Sequence, residues 1–267
     1  MKDEETKNTK THPNVAFIIA LLLSCACGFI EAYSLYYRGF WGMMMTGNLV
    51  YSVVSIVDGN PIRLLIYIPT IFLFVVGVFL AKLIEDKVAK GNEKKSHIIE
   101  LSIIVGLLLL VMAIPTVLDP ETTKADETAW PNIISNCFIA VIAGFLTKSF
   151  ASFDEHPYTA TMMTANLSRF ALSAYDAVFG EDKKKGRKAT LKYALIILLF
   201  AASAAGCFAF YRYVYGGIGN ELLASYFPNI TLVLPLILIT VSLILSTKQK
   251  GSRRRRHNSY VRDNPHA

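Results

Sequence analysis

The chain has 267 residues, 53% of them hydrophobic and only 18% charged, with a formal net charge of +7. Soluble domains carry about 25% charged residues, and the apolar residues here gather into runs too long for ordinary core helices, so a water-soluble globular fold is excluded. The basic excess lies in short segments between and after those runs, where it orients a membrane protein and does not point to nucleic acid.

The first predicted span is Val15 to Tyr37, interrupted by Glu31 alone. A helix rises 1.5 Å per residue, so about 20 apolar residues cover the ~30 Å hydrocarbon core. The run continues past Leu22-Leu23-Ser24-Cys25, and the leading tail carries Asp3, Glu4 and Glu5 as well as lysines, which argues against a cleaved signal. Next comes Phe40 to Val57, uncharged and containing Met44-Met45-Thr46-Gly47-Asn48-Leu49. Leu64 to Ala81, Leu101 to Leu118 and Trp130 to Thr147 are the second, third and fourth spans. The motif then returns as Met162-Met163-Thr164-Ala165-Asn166-Leu167, 118 residues after its first copy, and Asp58 and Asp176 keep that offset. Tyr193 to Tyr211 and Leu222 to Thr247 complete six spans. Cys25, Cys27, Cys137 and Cys207 all sit in apolar runs, where free cysteine behaves as a small hydrophobe. No metal or disulfide spacing appears, so neither a metal nor a cofactor is predicted. Asp154-Glu155-His156 reads as a solvated loop, and the methionines of the two motifs as packing.

Lysine and arginine set the orientation, because cytoplasmic loops near spans are enriched in them. Lys82 to His97 holds five, Lys183 to Lys188 holds five and the tail from Lys248 holds seven, whereas Thr116 to Pro131 holds only Lys124. Alternating crossings then leave no room for either motif segment to cross. Leu167 to Phe179 also contains Arg169 and Asp176, and each charge at mid-bilayer costs roughly 2.5–3.5 kcal/mol. The expectation is an all-α polytopic membrane protein of about six transmembrane helices, in two inverted three-span repeats, each with a short re-entrant or broken helix. The divisions are a cytoplasmic tail 1–14, repeat one 15–118, an extracytoplasmic loop 119–130, repeat two 131–247 and a basic cytoplasmic tail 248–267. Inverted repeats with discontinuous helices place substrate sites near the midplane.

The half-helix Leu49 to Val57 would span about 13.5 Å at 1.5 Å per residue, putting its amino end near mid-membrane. Thr46 and Asn48 can cap it, Gly47 can turn the backbone, and free N–H groups there favour anions or polar oxygens. The predicted substrate-binding set is Thr46, Gly47, Asn48, Thr164, Ala165 and Asn166, joined by Glu31 and Arg169. Glu31 enters as an intramembrane carboxylate, a functional candidate by default. The competing reading is that the two Thr-x-Asn segments satisfy one another and lock the halves together, with Glu31 a carboxylate near the outer surface or one paired structurally.

Gly28-Phe29-Ile30-Glu31-Ala32-Tyr33, followed by Phe40 and Met45-Thr46-Gly47-Asn48-Leu49-Val50, resembles the YoaK-like family of bacterial multi-pass membrane proteins. The likeness runs from about Val15 to Ser246. Its second half is similar at Tyr158, Thr159, Met163, Thr164 and Leu167, with Ala165 where the family pattern has glycine and Asn166 where it often has threonine. The resemblance implies a bacterial cytoplasmic membrane and brings no agreed activity.

A small-solute or ion transporter or channel is the leading reading. Its partners would be the bilayer, anionic lipids at the basic tail around Arg253 to Arg256, and an unidentified small solute or ion; an oligomer is compatible. A membrane-embedded enzyme is the rival, disfavoured because all five histidines lie outside the long apolar runs and no catalytic set is visible. A structural or assembly role without transport is the third.

Overall fold

The computed structural model describes residues 13–117, 125–153, 156–213 and 221–248. Both terminal tails, Lys124, Asp154, Glu155 and the Arg253 to Arg256 cluster lie outside the described residues. The helices are α1 (Pro13–Arg38), α2 (Met45–Val57), α3 (Pro61–Leu83), α4 (Glu93–Ala113), α5 (Trp130–Ser149), α6 (Met163–Phe179), α7 (Lys183–Tyr213), α8 (Glu221–Ile230) and α9 (Val233–Lys248). A π-helical turn, Ile84–Val88, extends α3, and two-residue strands β1 (Ser152–Phe153) and β2 (His156–Pro157) pair between α5 and α6. Six helical segments are long and apolar enough to cross a membrane: Val15–Arg38, Arg63–Val88, Glu93–Ala113, Trp130–Ser149, Lys183–Tyr213 and Ser225–Lys248. This is an all-α polytopic membrane protein.

The last span is not one continuous helix. Pro228 lies inside α8, and the N–H groups of Thr231 and Leu232 bond three residues back, to the Pro228 and Asn229 carbonyls. The tighter turn separates α8 from α9.

Cross-chain contacts sort the helix ends onto two sides of the bundle. At one end, Arg38 of α1 meets the carbonyls of Ile114 and Pro115 after α4, Asn132 of α5 and Asn229 of α8. Arg63 at the start of α3 pairs there with Glu127, just before α5, and Tyr211 of α7 stacks on Tyr36. At the opposite end Lys148 of α5 pairs with Glu85 after α3, and His97 of α4 bonds the Ser149 carbonyl. Phe17 of α1 packs there against Phe153, and Tyr193 of α7 donates to the Pro157 carbonyl. Because α1 ends and α3 begins on the same side, α2 does not cross the bundle. Likewise α5 ends and α7 begins on one side, so α6 does not cross.

The core joins α1 to α7 and α3 to α5, with α9 packed on α1 and α4, and α4 on α5. Two glycines permit the first two approaches. A Cβ at Gly28 of α1 would overlap the Phe200 carbonyl of α7, and one at Gly144 of α5 would overlap the Phe74 carbonyl of α3. Both obstacles are backbone, which cannot swing away. Gly28→Leu or Gly144→Leu should therefore lower the melting temperature of detergent-purified protein by the equivalent of at least roughly 1–3 kcal/mol, the usual cost of overpacking. Leucine at Gly106, whose surroundings are open, should be tolerated. Equal melting of all three variants would show that the crossings are loose.

The outward faces of α2 and α6 remain apolar and exposed, with Val50, Val53 and Val57 on α2 and Leu172 and Phe179 on α6. Each of the two helices packs inward on the helix that follows it, α3 or α7.

Candidate functional site

Glu31 sits on α1 with 7% of its surface exposed. Its Oε2 accepts a 2.9 Å bond from the Met43 N–H, just before α2. The first turns of a helix leave N–H groups without intrahelical partners, and their partial positive charge favours an anion. The cap position, Met44, offers no side-chain bond, so the chain's own carboxyl group stands where an anion or polar oxygen was expected. One turn on, Ser34 Oγ accepts from the Gly42 N–H at 2.9 Å, which pins the 42–43 peptide to α1.

The other side of this turn lies against α5. A Cβ at Gly42 would come within 2.6 Å of Ile139 Cγ2 and 3.1 Å of Asn136 Oδ1. Ile139 stands midway along α5, so the turn reaches the middle of the bundle. Asn136 is fully buried, yet neither its amide nitrogen nor its oxygen has a hydrogen-bond partner among the described residues. Oε1 of Glu31 lacks one as well. Burying an amide without a partner costs roughly 1–3 kcal/mol by mutational measures, and a charged carboxylate more. Three unsatisfied polar atoms around one turn therefore make a place that a small polar ligand or a proton would complete.

The second motif is built in the same way with different chemistry. Tyr158, buried before α6, donates to the Ala20 carbonyl of α1 at 2.8 Å and lies 2.6 Å from Ser24 Oγ. Thr147 of α5 and Thr161 bond through their hydroxyls at 2.8 Å. Thus the turn before α2 packs on α5, and the turn before α6 packs on α1. Each asparagine staples its own turn: Asn48 Nδ2 donates to the Trp41 carbonyl at 2.9 Å, and Asn166 Nδ2 to the Thr159 carbonyl at 2.7 Å. In both cases the partner is seven residues earlier.

The half-helices start earlier than the sequence suggests. Asn48 N–H already bonds the Met44 carbonyl, so α2 has 13 residues, about 20 Å at 1.5 Å each. Gly47 is inside its first turn and makes no bend, and Thr46 and Asn48 are not caps. The amide nitrogen of Asn48 is engaged with Trp41, while its buried Oδ1 has no hydrogen-bond partner among the described residues. Thr46 and Thr164 are exposed, Gly47 and Ala165 half-buried, and Asn48 and Asn166 fully buried. The two asparagines share no hydrogen bond, each being held within its own half. Arg169, half-buried on α6, donates from Nη1 to Asn166 Oδ1 at 3.1 Å and to Thr159 Oγ1 at 3.4 Å. Of the expected set, then, Asn166 and Arg169 meet directly, while Glu31 approaches the α2 tip through Met43.

Sequence reading missed Arg38 and Asn136, and it marked Tyr158 only through the family resemblance. Arg38 follows the first apolar run and looks like an interfacial residue, and Asn136 is a neutral polar residue inside an uncharged run. An asparagine in mid-span is the one signal that could have marked the site, since membrane helices hide such groups among partners.

Residues 19–245 match the DUF1275 family model, described as a protein of unknown function. The chain belongs to the DUF1275 family. No curated protein and no solved structure matches it. The DUF1275 match takes in both Thr-x-Asn segments, Glu31, Arg38, Asn136 and Arg169, so the whole central arrangement lies within the family's extent.

Proposed function

We propose that this DUF1275 protein is a transporter or channel for a small solute or ion, with its polar site between two inverted repeats, 15–118 and 131–247. Support for the repeats comes from packing. Gly28 meets Phe200 as Gly144 meets Phe74, so the first helix of each half crosses the same point on the third helix of the other. The single observation that carries the function is the buried cluster of Glu31 Oε1 and the Asn136 amide, unpartnered beside the α2 tip. A purely structural core gains nothing by retaining such atoms. The occupied amide at Met43 argues for a cation or proton at the free carboxyl oxygen, because an anion there would meet Glu31. The basic segments assign both termini to the cytoplasmic side, and the YoaK-like resemblance implies a bacterial cytoplasmic membrane.

Two measurements test this reading. Single cysteines at Asn92 and Lys185 should react with an impermeant maleimide only from the cytoplasmic side, and one at Asp126 only from outside; outside labelling at Asn92 would invert or break the topology. In proteoliposomes, an imposed pH gradient or a cation gradient should drive flux that Asn136→Leu abolishes while leaving the melting temperature at or above the wild-type value, since leucine removes two unpaired polar atoms. Unchanged flux in that folded variant would remove the central site.

A further inference from the structure

A recess of about 520 Å³ opens between α6 and α7, at the end of the bundle where α7 begins. That volume falls in the 300–1,000 Å³ range of small-molecule sites. Arg169 and Asp176 of α6, Tyr193 of α7 and His156 of β2 line it. Glu181, Asp182 and Lys185 line it as well, and the Asp182 carboxylate accepts the Lys185 N–H as the cap of α7. Arg169 spends one guanidinium nitrogen on Asn166 and Thr159. Neither Arg169 nor Asp176 forms an ion pair among the described residues, although both face the same space. They stand seven positions apart on one helix, which is about 10.5 Å along its axis. Opposite charges thus line one recess without pairing with each other, an arrangement that a bridging molecule would complete.

The first half of the chain treats the corresponding place differently. The offset of 126 residues that carries Phe74 onto Phe200 also carries Tyr67 onto Tyr193, and the motif offset of 118 carries Tyr51 onto Arg169. In the first half Tyr51 stacks on Tyr67, with ring centroids 5.7 Å apart and planes 19° from parallel. Two rings close together there. In the second half an arginine replaces one ring and a charged recess lies beside the remaining tyrosine.

We propose that this recess binds a small zwitterion, its anionic group on Arg169 and its ammonium group towards Asp176. A free amino acid with well-separated charges and a phosphoethanolamine headgroup share that chemistry. Binding here is independent of the transport reading, because it is measured at equilibrium and without flux.

The test is calorimetric titration of the delipidated full-length protein in detergent with 4-aminobutyrate, glycerophosphoethanolamine, acetate and ethylamine. Saturable binding of at least one zwitterion is expected, with acetate and ethylamine at least about tenfold weaker, since each keeps only one of the two charged contacts. Arg169→Gln should weaken the zwitterion to the level of ethylamine, Asp176→Asn to the level of acetate, and Arg169→Lys should restore part of the loss. Circular dichroism and a monodisperse elution profile confirm that the variants are folded. Preference for 4-aminobutyrate assigns the site to a free solute. Preference for glycerophosphoethanolamine, with phosphatidylethanolamine retained by unstripped wild type and lost from Arg169→Gln, assigns it to lipid. No binding by folded wild type, equal binding by all variants, or acetate binding as tightly as the zwitterions would overturn the proposal.

Discussion

Replacing Arg38 by alanine should cost this protein roughly 3–5 kcal/mol, the range for removing one partner from a buried charged network. The guanidinium is fully buried. Its Nε donates to Tyr33 Oη at 2.8 Å, Nη1 to the Pro115 carbonyl and Asn132 Oδ1, and Nη2 to the Ile114 carbonyl and Asn229 Oδ1. A guanidinium has five N–H donors, and each finds an oxygen. No partner among the described residues is a carboxylate; the positive charge is balanced by carbonyl oxygens, three of them from the carboxyl end of α4. Such an end carries partial negative charge. Truncation would therefore strand oxygens from three chain segments and release α1 from α4, α5 and α8 together. Lysine keeps the charge but has three donors and no planar fork, so Arg38→Lys should fall between alanine and wild type. Thermal unfolding followed by size exclusion in detergent measures the series. An alanine variant that melts with wild type would mean that the network is ornamental.

Why the sequence could not show this follows from what Arg38 touches. Apart from Tyr33, five positions back, its partners lie 73 to 191 positions away, and half of all its acceptors are backbone carbonyls, which carry no residue-type signature. The spans were legible because lipid demands long apolar runs whatever the neighbours are. The crossings and the non-crossing α2 and α6 were legible too, since the alternation of spans and the placement of lysines constrain each other. Helix starts were not. Thr46-Gly47-Asn48 has the composition of a cap and turn, yet Asn48 reaches the Trp41 carbonyl across a loop, and that bond depends on tertiary position. The break between α8 and α9 was hidden in an uncharged run in which only Pro228 hinted at it. Glu31 was recognisable as an unusual charge, but its partner, a backbone N–H twelve residues on, has no side chain to announce it.

The two turns also explain how a change at one could reach the other. Residues 42–43 rest on α1 and α5, and Tyr158 rests on α1 through Ser24 and Ala20. Helix α1 therefore carries contacts to both motif segments, with Glu31 one to two turns beyond Ser24 and Cys27. Movement of either tip requires repacking along one helix, and no direct bond between the asparagines is needed.

Glu31 gives the sharpest separation of folding from function. In Glu31→Gln the side-chain carbonyl can still accept the Met43 N–H, so the α2 tip keeps its partner and the variant should melt within a degree or two of wild type. What it loses is the ability to exchange a proton or to hold a cation at the atom corresponding to Oε1. If the central site is the transport site, flux in proteoliposomes should fall by roughly tenfold or more, and any dependence on external pH should flatten. Such a loss corresponds to about 1.4 kcal/mol at the decisive step. Glu31→Lys should behave differently. It places a cation against the amino end of α2, whose dipole repels it, in a setting where an unpaired charge costs about 2.5–3.5 kcal/mol even on insertion scales. Loss of folded protein is therefore expected for lysine and retained folding with impaired flux for glutamine. A glutamine variant that unfolds would identify Glu31 as a structural tether of α2, and one that folds with full, pH-responsive flux would remove it from the site.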